Sequence, residues 1–207
     1  MTSEPAKPRV AAILLAAGES TRMGETKALL PWIDGEPLVA YQARALHAAG
    51  YDPIVVVVGH DAERVTDALP SELELTVIFN DRYRQGRSSS IFAGALPLAT
   101  PETDAALVIS VDQPRSAAML RTLREAWEAE RPSIAIPSRE RRSGHPPLFD
   151  ASLIPELLQL TEETEGMRQV LHNFADERLF VNVDDPLTLT NLNTYEDYET
   201  ALLLARR

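Results

Sequence analysis

Short apolar runs alternate with helical segments along this chain, and that alternation limits the folds it can adopt. Val10–Ala16 and Ile54–Val58 are continuous apolar runs, typical of parallel strands covered on both faces. The predicted strands are Val10–Ala16, Ile54–Val58, Leu75–Phe79, 105–111, 134–137 and 179–183. The predicted helices are 38–49, 61–69, 88–98, 116–130, 152–160, 166–174 and Tyr195–Ala205, and a charged, proline-containing loop is predicted at 138–147.

Strands that alternate with crossover helices form a mostly parallel sheet with helices on both faces. The sequence therefore predicts an α/β protein with one Rossmann-like, doubly wound sheet. The 207 residues are enough for one substantial core, so we expect a flexible segment at 1–9 and a single domain over 10–207. Ligands of such folds bind at the carboxyl ends of the strands.

The composition excludes several classes of function. A net charge of −11 argues against nucleic-acid binding, which normally needs a basic stripe. The chain has no cysteine, which excludes disulfides, thiolate zinc sites and a cysteine nucleophile. It has no apolar run long enough to span a membrane and no signal-peptide pattern before the first strand, so we expect a cytoplasmic protein without a membrane partner.

The first strand runs into a loop that suits a polyphosphate. Gly18, Ser20 and Gly24 allow a tight turn with N–H groups aimed at an anion, and Arg22 and Lys27 add positive charge. Arginine offers a planar fork for two phosphate oxygens, whereas lysine is a compact point charge. The loop is neither G-x-G-x-x-G nor G-x-x-x-x-G-K-[ST], which disfavours a dehydrogenase or a P-loop ATPase.

From Leu15 to Pro31 this loop resembles the L-A-A-G-x-S-x-R-M-G-x-x-K-x-L-L-P signature of the MobA-like NTP transferases. The branch it is most similar to includes the molybdenum cofactor cytidylyltransferases. The short spacing between Arg22 and Lys27 disfavours sugar-phosphate nucleotidylyltransferases, which typically carry a longer insertion. The resemblance implies a fold of the nucleotide-diphospho-sugar transferase type and a nucleotide bound by Leu15, Ala16, Ala17, Gly18, Ser20, Thr21, Arg22 and Lys27.

Asp112 lies at the end of a buried strand and is followed by Gln113 and Pro114. A carboxylate there can hold Mg²⁺, which prefers one or two protein oxygens together with phosphate oxygens and water. The alternative is a cap of the helix at 116–130. The resemblance implies that Asp112 is the metal ligand, while Arg115 departs from the aliphatic residue expected next.

The segment from Asn80 to Ser90 is similar to a family segment that flanks the nucleotide base, with Arg87 in place of methionine. The resemblance implies nucleotide contacts from Asn80, Gly86 and Ser88, and the alternative is an ordinary turn with serine capping. The arginines at 82, 84 and 87, and those at 139, 141 and 142, form two basic clusters; a solvated loop is the alternative for each.

Two later segments resemble the acceptor side of the family. The Gly-His-Pro motif at 144–146 precedes a short strand and implies that His145 contacts the acceptor or only braces the loop. Gly166 and Arg168 remain from a Gly-Asp-x-Gly-Ala-Arg run, which implies acceptor binding by Arg168. Glu163 and Thr164 replace the Gly-Asp of that run.

The segment at 191–198 is similar to the family's terminal motif at the start of its last helix. The resemblance implies that Asn193 is a second metal ligand beside Asp112, and the alternative is that it is a plain helix N-cap. The cytidylyl branch usually has aspartate in this motif, whereas asparagine is familiar in the guanylyl branch, so the base stays open.

Together these residues predict a Mg²⁺-dependent nucleotidylyltransferase with catalytic residues Arg22, Lys27 and Asp112. It would move NMP from an NTP, CTP first, to a phosphorylated small acceptor such as molybdopterin, and a molybdoenzyme or cofactor-insertion protein is a further possible partner. The nucleotide part is expected at about 10–115 and the acceptor part at about 116–207. The alternatives are another phosphorylated acceptor, or a non-catalytic nucleotide-binding or cofactor-binding module.

Overall fold

The computed structural model describes residues 7–19 and 24–206, apart from the side chain of Thr164. Most of the predicted flexible segment 1–9 lies outside these residues, and so do the predicted site residues Ser20, Thr21 and Arg22.

Eight strands form one mixed sheet. They are β1 (Val10–Ala16), β2 (Ile54–Val58), β3 (Leu75–Phe79), β4 (Ala105–Ser110), β5 (Ile134–Arg139), β6 (Arg142–Ser143), β7 (Leu148–Asp150) and β8 (Arg178–Asn182). Their order is β3-β2-β1-β4-β7-β5-β6, and β8 also pairs with β5. The pairs β1–β2, β1–β4, β2–β3 and β5–β8 are parallel, so the sheet is mostly parallel, as predicted.

Helices cover both faces of this sheet. They are α1 (Leu38–Ala48), α2 (Ala62–Asp67), α3 (Arg87–Ala95), α4 (Ala117–Glu130), α5 (Ile154–Leu157), α6 (Met167–Asn173) and α7 (Tyr195–Ala205). Short 3₁₀ turns occupy Lys27–Leu29, Ile33–Gly35, Tyr83–Gln85, Leu96–Leu98, Ala151–Leu153, Glu162–Thr164, Ala175–Glu177 and Pro186–Leu189. The apolar residues of α1, α2, α4 and α7 pack in one core cluster, and those of α3, α5 and α6 pack in the other.

Strand β1 lies at the centre and explains why its sequence is apolar throughout. Val10, Ala12 and Leu14 belong to one core cluster, while Ala11 and Ile13 belong to the cluster on the opposite face. A strand buried on both faces has no polar side, so alternation disappears. The predicted Rossmann-like α/β fold is confirmed.

The predicted loop at 138–147 is wrong in part, because it contains a hairpin. Glu140 and Arg141 have φ values of 52° and 64°, which makes a tight two-residue turn between β5 and β6. After Gly144–Pro147 the chain returns as β7, which pairs antiparallel with both β4 and β5. This returning strand makes the sheet mixed.

Several helix ends also differ from the prediction. Helix α3 stops at Ala95 because Pro97 cannot continue an α-helix, and a 3₁₀ turn follows. Its serines do not cap it: the N-cap is Gly86, and no side-chain cap is present. The helix predicted at 152–160 is a 3₁₀ turn followed by the single short helix α5. Within the described ranges, no helix is long and apolar enough to cross a membrane.

Candidate active site

A cleft opens at the carboxyl ends of β1 and β4, which are neighbours in the sheet. Its cavity measures about 260 Å³ and is lined by the 15–18 backbone segment, by Lys27 and by Asp112. Tyr83, Gly86 and Arg87 form the wall on the side of α3. The position agrees with the rule that ligands of open α/β sheets bind where the parallel strands end.

In the predicted phosphate loop, Gly24 has a φ of +71°, which glycine readily adopts. Thr26 then anchors the end of the loop, because its hydroxyl donates a hydrogen bond to Asp61. This hydrogen bond is the largest of the effects that keep the pKa of Asp61 below its usual value. Gly18 does not share the positive φ, and an added Cβ there would meet nothing within 4 Å.

Lys27 and Asp112 face each other across the cleft. Lys27 Nζ lies 3.5 Å from Asp112 Oδ2, and their side chains are 14% and 31% exposed. Lys27 belongs to a 3₁₀ turn after the loop, and Asp112 follows the end of β4. The fold therefore brings together two residues that are 85 positions apart in the sequence.

The segment 191–193 is held against the loop that carries Asp112. The N–H of Leu192 donates to the carbonyl of Asp112 at 2.8 Å, and Gln113 Nε2 donates to Asn191 Oδ1 at 2.9 Å. Asn193 therefore directly follows Leu192, the residue that is hydrogen-bonded to Asp112. They are consistent with the predicted pairing of the two residues around one metal.

Both capping alternatives are wrong. The N-cap of α4 is Ser116, whose hydroxyl accepts from the N–H of Met119, so Asp112 does not cap that helix. The N-cap of α7 is Thr194, which forms a capping box with Asp197, so Asn193 precedes the cap. The side chains of Asp112 and Asn193 thus do not cap the helices that follow, although the N–H of Asn193 donates to Asp197 at 3.0 Å.

The described residues contain no group of three or more His, Asp or Glu side chains able to hold a metal ion. A site built from one carboxylate and one amide oxygen suits Mg²⁺, which keeps several waters and substrate oxygens in its shell. Asp112 and Asn193 are the two residues that would supply such oxygens.

Asn80 and Ser88 lie next to the cleft but do not line it. The Asn80 amide donates to the hydroxyls of Ser89 and Ser90, both at 3.0 Å, and its oxygen accepts from the N–H of Arg82 at 2.9 Å. The polar atoms of Asn80 are therefore used to join the end of β3 to α3. Ser88 is buried, and both residues line a neighbouring groove instead of the cleft.

Glu162 occupies the N-terminus of α3, where the unpaired N–H groups of a helix favour an anion. Its Oε1 accepts from the N–H of Ser88 at 2.6 Å. Gly86, with a φ of +109°, allows this approach, since an added Cβ would lie 2.3 Å from the Glu162 carboxyl carbon. Sequence analysis missed Glu162, because 74 residues separate it from Ser88.

On the acceptor side, the charge of Arg168 acts on His145. Burial first, and then the positive charges of Arg87, Arg115 and Arg168, lower the pKa of His145 to about 4. The imidazole is therefore neutral at physiological pH. Arg168 is exposed on the first turn of α6, close enough to act on His145 by its charge.

The arginines of the two predicted basic clusters lie in different surroundings. Arg84 is exposed and pairs with Glu19 at 2.8 Å, as a solvated loop residue does, whereas Arg139 ends β5, is partly buried and pairs with Asp184 at 3.6 Å. Of the six clustered arginines, Arg87 lines the cleft. A larger groove of about 860 Å³ runs along β3 and α3, but neither Lys27 nor Asp112 lines it, so we place the chemistry in the smaller cleft.

Comparison with known proteins agrees with this geometry. Residues 12–179 match the MobA-like NTP transferase domain. The chain is 26% identical over 189 residues to molybdenum cofactor cytidylyltransferase of Escherichia coli (strain K12), covering 91% of this chain and 93% of that one. It is 32% identical over 198 residues to nicotine blue oxidoreductase of Paenarthrobacter nicotinovorans, covering 91% and 94%.

A solved nucleotidyl transferase from Methanothermobacter thermautotroptrophicus superposes with a TM-score of 0.79 and 26% identity, over 96% of this chain and 98% of that one. The resemblance drawn from the loop at 15–31 is thereby confirmed. The chain belongs to the MobA-like NTP transferase family of nucleotidyl-transfer enzymes.

Proposed function

We propose that this protein is a Mg²⁺-dependent cytidylyltransferase that moves CMP from CTP to a phosphorylated small acceptor, with molybdopterin or its molybdenum cofactor as the first candidate. The observation that carries the proposal is the Lys27–Asp112 pair, 3.5 Å apart, at the carboxyl end of the central strands. It combines a cation for phosphate oxygens with a carboxylate for a metal.

In this reaction an oxygen of the acceptor phosphate attacks the α-phosphorus of CTP. A new P–O bond forms to the acceptor, the bond to the β-phosphate oxygen breaks, and pyrophosphate leaves with the electron pair. Lys27 binds the α-phosphate or the acceptor, and Arg22 is assigned to the β- and γ-phosphates. Bound Mg²⁺ would neutralise charge on the phosphates, so the work of the protein is positioning and electrostatics.

The acceptor half is assigned to the side of His145 and Arg168. A neutral imidazole beside an exposed guanidinium suits a phosphate monoester, because the arginine supplies the charge and the histidine can donate or accept a hydrogen bond. Support for molybdopterin comes from the E. coli relative, whose name states that activity. The choice of CTP has the same support.

Titration calorimetry with CTP, GTP, ATP and UTP, each with and without Mg²⁺, tests the donor. We expect CTP to bind with a Mg²⁺-dependent affinity that Asp112→Ala abolishes. Pyrophosphate release from CTP is then measured with molybdopterin and with other phosphorylated acceptors. If pyrophosphate is released only with a different acceptor, that molecule replaces molybdopterin as the proposed acceptor. If only another NTP shows Mg²⁺-dependent binding, that NTP replaces CTP as the proposed donor. Nucleotide binding without turnover on any acceptor would indicate a non-catalytic module.

A second candidate follows from the relative named nicotine blue oxidoreductase, which is 32% identical over 91% of this chain. A reductase with this fold would hold an electron-donating nucleotide where we place the NTP. Oxidation of NADH or NADPH with nicotine blue as acceptor, in the absence of any pyrophosphate-forming activity, would favour this candidate. Loss of nucleotide transfer in Asp112→Ala would favour the transferase.

A further inference from the structure

Arg115 is a fully buried arginine at the base of the candidate active site. Its side chain is 0% exposed. Nε donates to the carbonyl of His145 at 2.7 Å, and one terminal nitrogen, Nη1, donates to the carbonyls of Pro114 at 2.8 Å and Thr190 at 3.1 Å. Among residues 7–19 and 24–206, no carboxylate forms an ion pair with it.

A guanidinium buried in this way is unfavourable for stability. Removal from water lowers the pKa of Arg115 to about 10, which leaves the group charged at neutral pH. Its second terminal nitrogen, Nη2, is buried and has no hydrogen-bond partner within the described part of the chain. Replacing a buried charge by a packed apolar residue is often neutral or stabilising. Stability alone therefore does not explain Arg115.

The three carbonyls belong to three different segments of the site. Pro114 is in the loop that carries Asp112, His145 is in the acceptor-side loop, and Thr190 leads into the segment that carries Asn193. One planar, rigid group thus joins the predicted metal ligands to the predicted acceptor residue. Arginine suits this role because its donors have fixed directions.

The backbone of Arg115 is fixed as firmly as its side chain. Gln42 of α1 is fully buried, and its amide oxygen accepts from the N–H of Arg115 at 2.9 Å. Its amide nitrogen donates to the carbonyl of Gln113 at 3.3 Å. Because α1 packs on the core, this amide ties the loop at 113–115, and with it the guanidinium, to the rigid sheet.

We propose that Arg115 is a positioning residue, which holds the His145 loop at a fixed distance from Asp112 and thereby aims the acceptor phosphate at the α-phosphorus. The inference rests on the proposed nucleotidyl transfer. It predicts that loss of the guanidinium impairs use of the acceptor far more than binding of the nucleotide, because the Arg115 side chain donates to the carbonyls of Pro114, His145 and Thr190 and does not line the cleft.

Arg124 offers a matched control. It is also a buried arginine, and its Nε donates to the carbonyl of Ala49 at 2.9 Å while Nη1 pairs with Glu128. These contacts join α4 to the end of α1 and involve none of the site segments. Arg124→Leu should therefore lower stability without a specific effect on the acceptor.

The first readout is steady-state kinetics with CTP and molybdopterin. For Arg115→Leu we expect the KM for the acceptor to rise at least about tenfold and kcat to fall, with the CTP affinity from calorimetry changed less than about twofold. Arg115→Lys keeps the charge but cannot span three carbonyls, so its effects should be intermediate. Unchanged acceptor KM in Arg115→Leu, or an equal rise in Arg124→Leu, would overturn the inference.

The second readout is nuclear magnetic resonance of the His145 ring, which needs no substrate. Arg87, Asp112, Arg115 and Arg168 are the charged groups that act on this ring. Arg115→Leu raises the pKa of His145 by loss of charge alone, so Arg115→Lys, which keeps the charge, is the decisive variant. With Arg115→Lys the loop should loosen and the ring should titrate at least about one pH unit higher than in wild type, whereas Arg124→Leu should leave it unchanged. An unchanged His145 pKa in Arg115→Lys would contradict the inference.

The two readouts separate the possible failures. If the wild-type protein transfers no nucleotide to any acceptor, the proposed function fails, and the His145 measurement still decides whether Arg115 holds the loop. If Arg115→Leu does not fold, Arg115→Lys supplies both measurements.

Discussion

Lys27 and Asp112 are the residues on which the proposed chemistry depends most. Removing either one takes away charge stabilisation at the α-phosphorus, so Lys27→Ala and Asp112→Ala should each lower kcat by about a hundredfold or more. Asp112→Ala should also remove the Mg²⁺ dependence of CTP binding, whereas Lys27→Ala should keep part of it. Pyrophosphate release at saturating CTP measures both effects.

The chain offers a simple control for the lysine, because Lys7 and Lys27 are its two lysines and Lys7 is exposed before β1. Lys7→Ala should therefore leave turnover unchanged. Reductive methylation of the Lys7→Ala variant then acts on Lys27 alone among the side chains, and Mg²⁺ with CTP should slow it. Equal methylation rates with and without nucleotide would place the NTP elsewhere.

The depressed pKa of His145 makes stability depend on pH. The histidine takes up a proton near pH 6.5 when unfolded but near pH 4 when folded, so the unfolded state binds more protons between these values. The neutral ring's full contribution to the free energy of unfolding is present above pH 6.5. It is lost as the pH falls towards 4, which lowers the free energy of unfolding by up to about 2 kcal/mol after allowance for partial exposure.

Urea unfolding at pH 7 and pH 4.5 checks this prediction. His145→Gln carries no titrating group, so its stability should fall less over the same interval than that of the wild type. The exposed His47→Gln is the control and should follow the wild type, since its ring packs in no such site. An equal loss in wild type and His145→Gln would contradict the assigned shift.

At the scale of single elements, the N-terminus of α3 is where the carboxylate of Glu162 and a substrate anion would compete. The Glu162 carboxylate accepts the N–H of Ser88, and its charge also acts on Arg87 in the cleft wall. Glu162→Gln keeps the size of the side chain and removes the negative charge. We expect it to lower the Kd of Mg²⁺-free CTP severalfold, because less negative charge then repels the triphosphate.

Glu163→Gln is the matched control, since Glu163 is exposed in the same 3₁₀ turn, whereas the N–H of Ser88 donates to Glu162. It should change the Kd much less than Glu162→Gln. Calorimetry at low ionic strength gives the largest signal, because added salt screens such charges. Equal effects of the two variants would show a general change of surface charge.

The elements also show what the sequence could and could not predict. The bounds of β1, β2, β3 and α7 match the prediction, because continuous apolar runs and a helix with clear boundaries are local signals. The hairpin of β5 and β6 depends on left-handed Glu140 and Arg141, which such local signals do not indicate. The motif identifies the Asp112 loop, but the contacts of Arg115 with Gln42 and His145, and that of Glu162 with Ser88, are tertiary and leave no local pattern.

On the scale of the whole molecule, the predicted nucleotide part 10–115 and acceptor part 116–207 share one sheet and both core clusters. Strand β7 pairs with β4, and the hydroxyl of Tyr51 donates to the carbonyl of Leu120 at 3.0 Å. Arg124 of α4 reaches the carbonyl of Ala49, and the aromatic cores of both parts lie in the same cluster. We therefore expect the two parts to unfold together as one cooperative unit.

The two tryptophans allow a direct measurement of this cooperativity. Trp32 lies in the first part and Trp127 in the second, and both are almost fully buried. In Trp32→Phe and in Trp127→Phe, the remaining tryptophan reports on one part, and circular dichroism reports on the whole fold. Within each variant the fluorescence and dichroism midpoints in urea should coincide, and Mg²⁺ with CTP should raise both by the same amount, because binding to the folded state stabilises the entire unit. Separate midpoints, or a shift confined to the Trp32 signal, would mean that the acceptor part unfolds on its own and that its geometry is not fixed by the sheet.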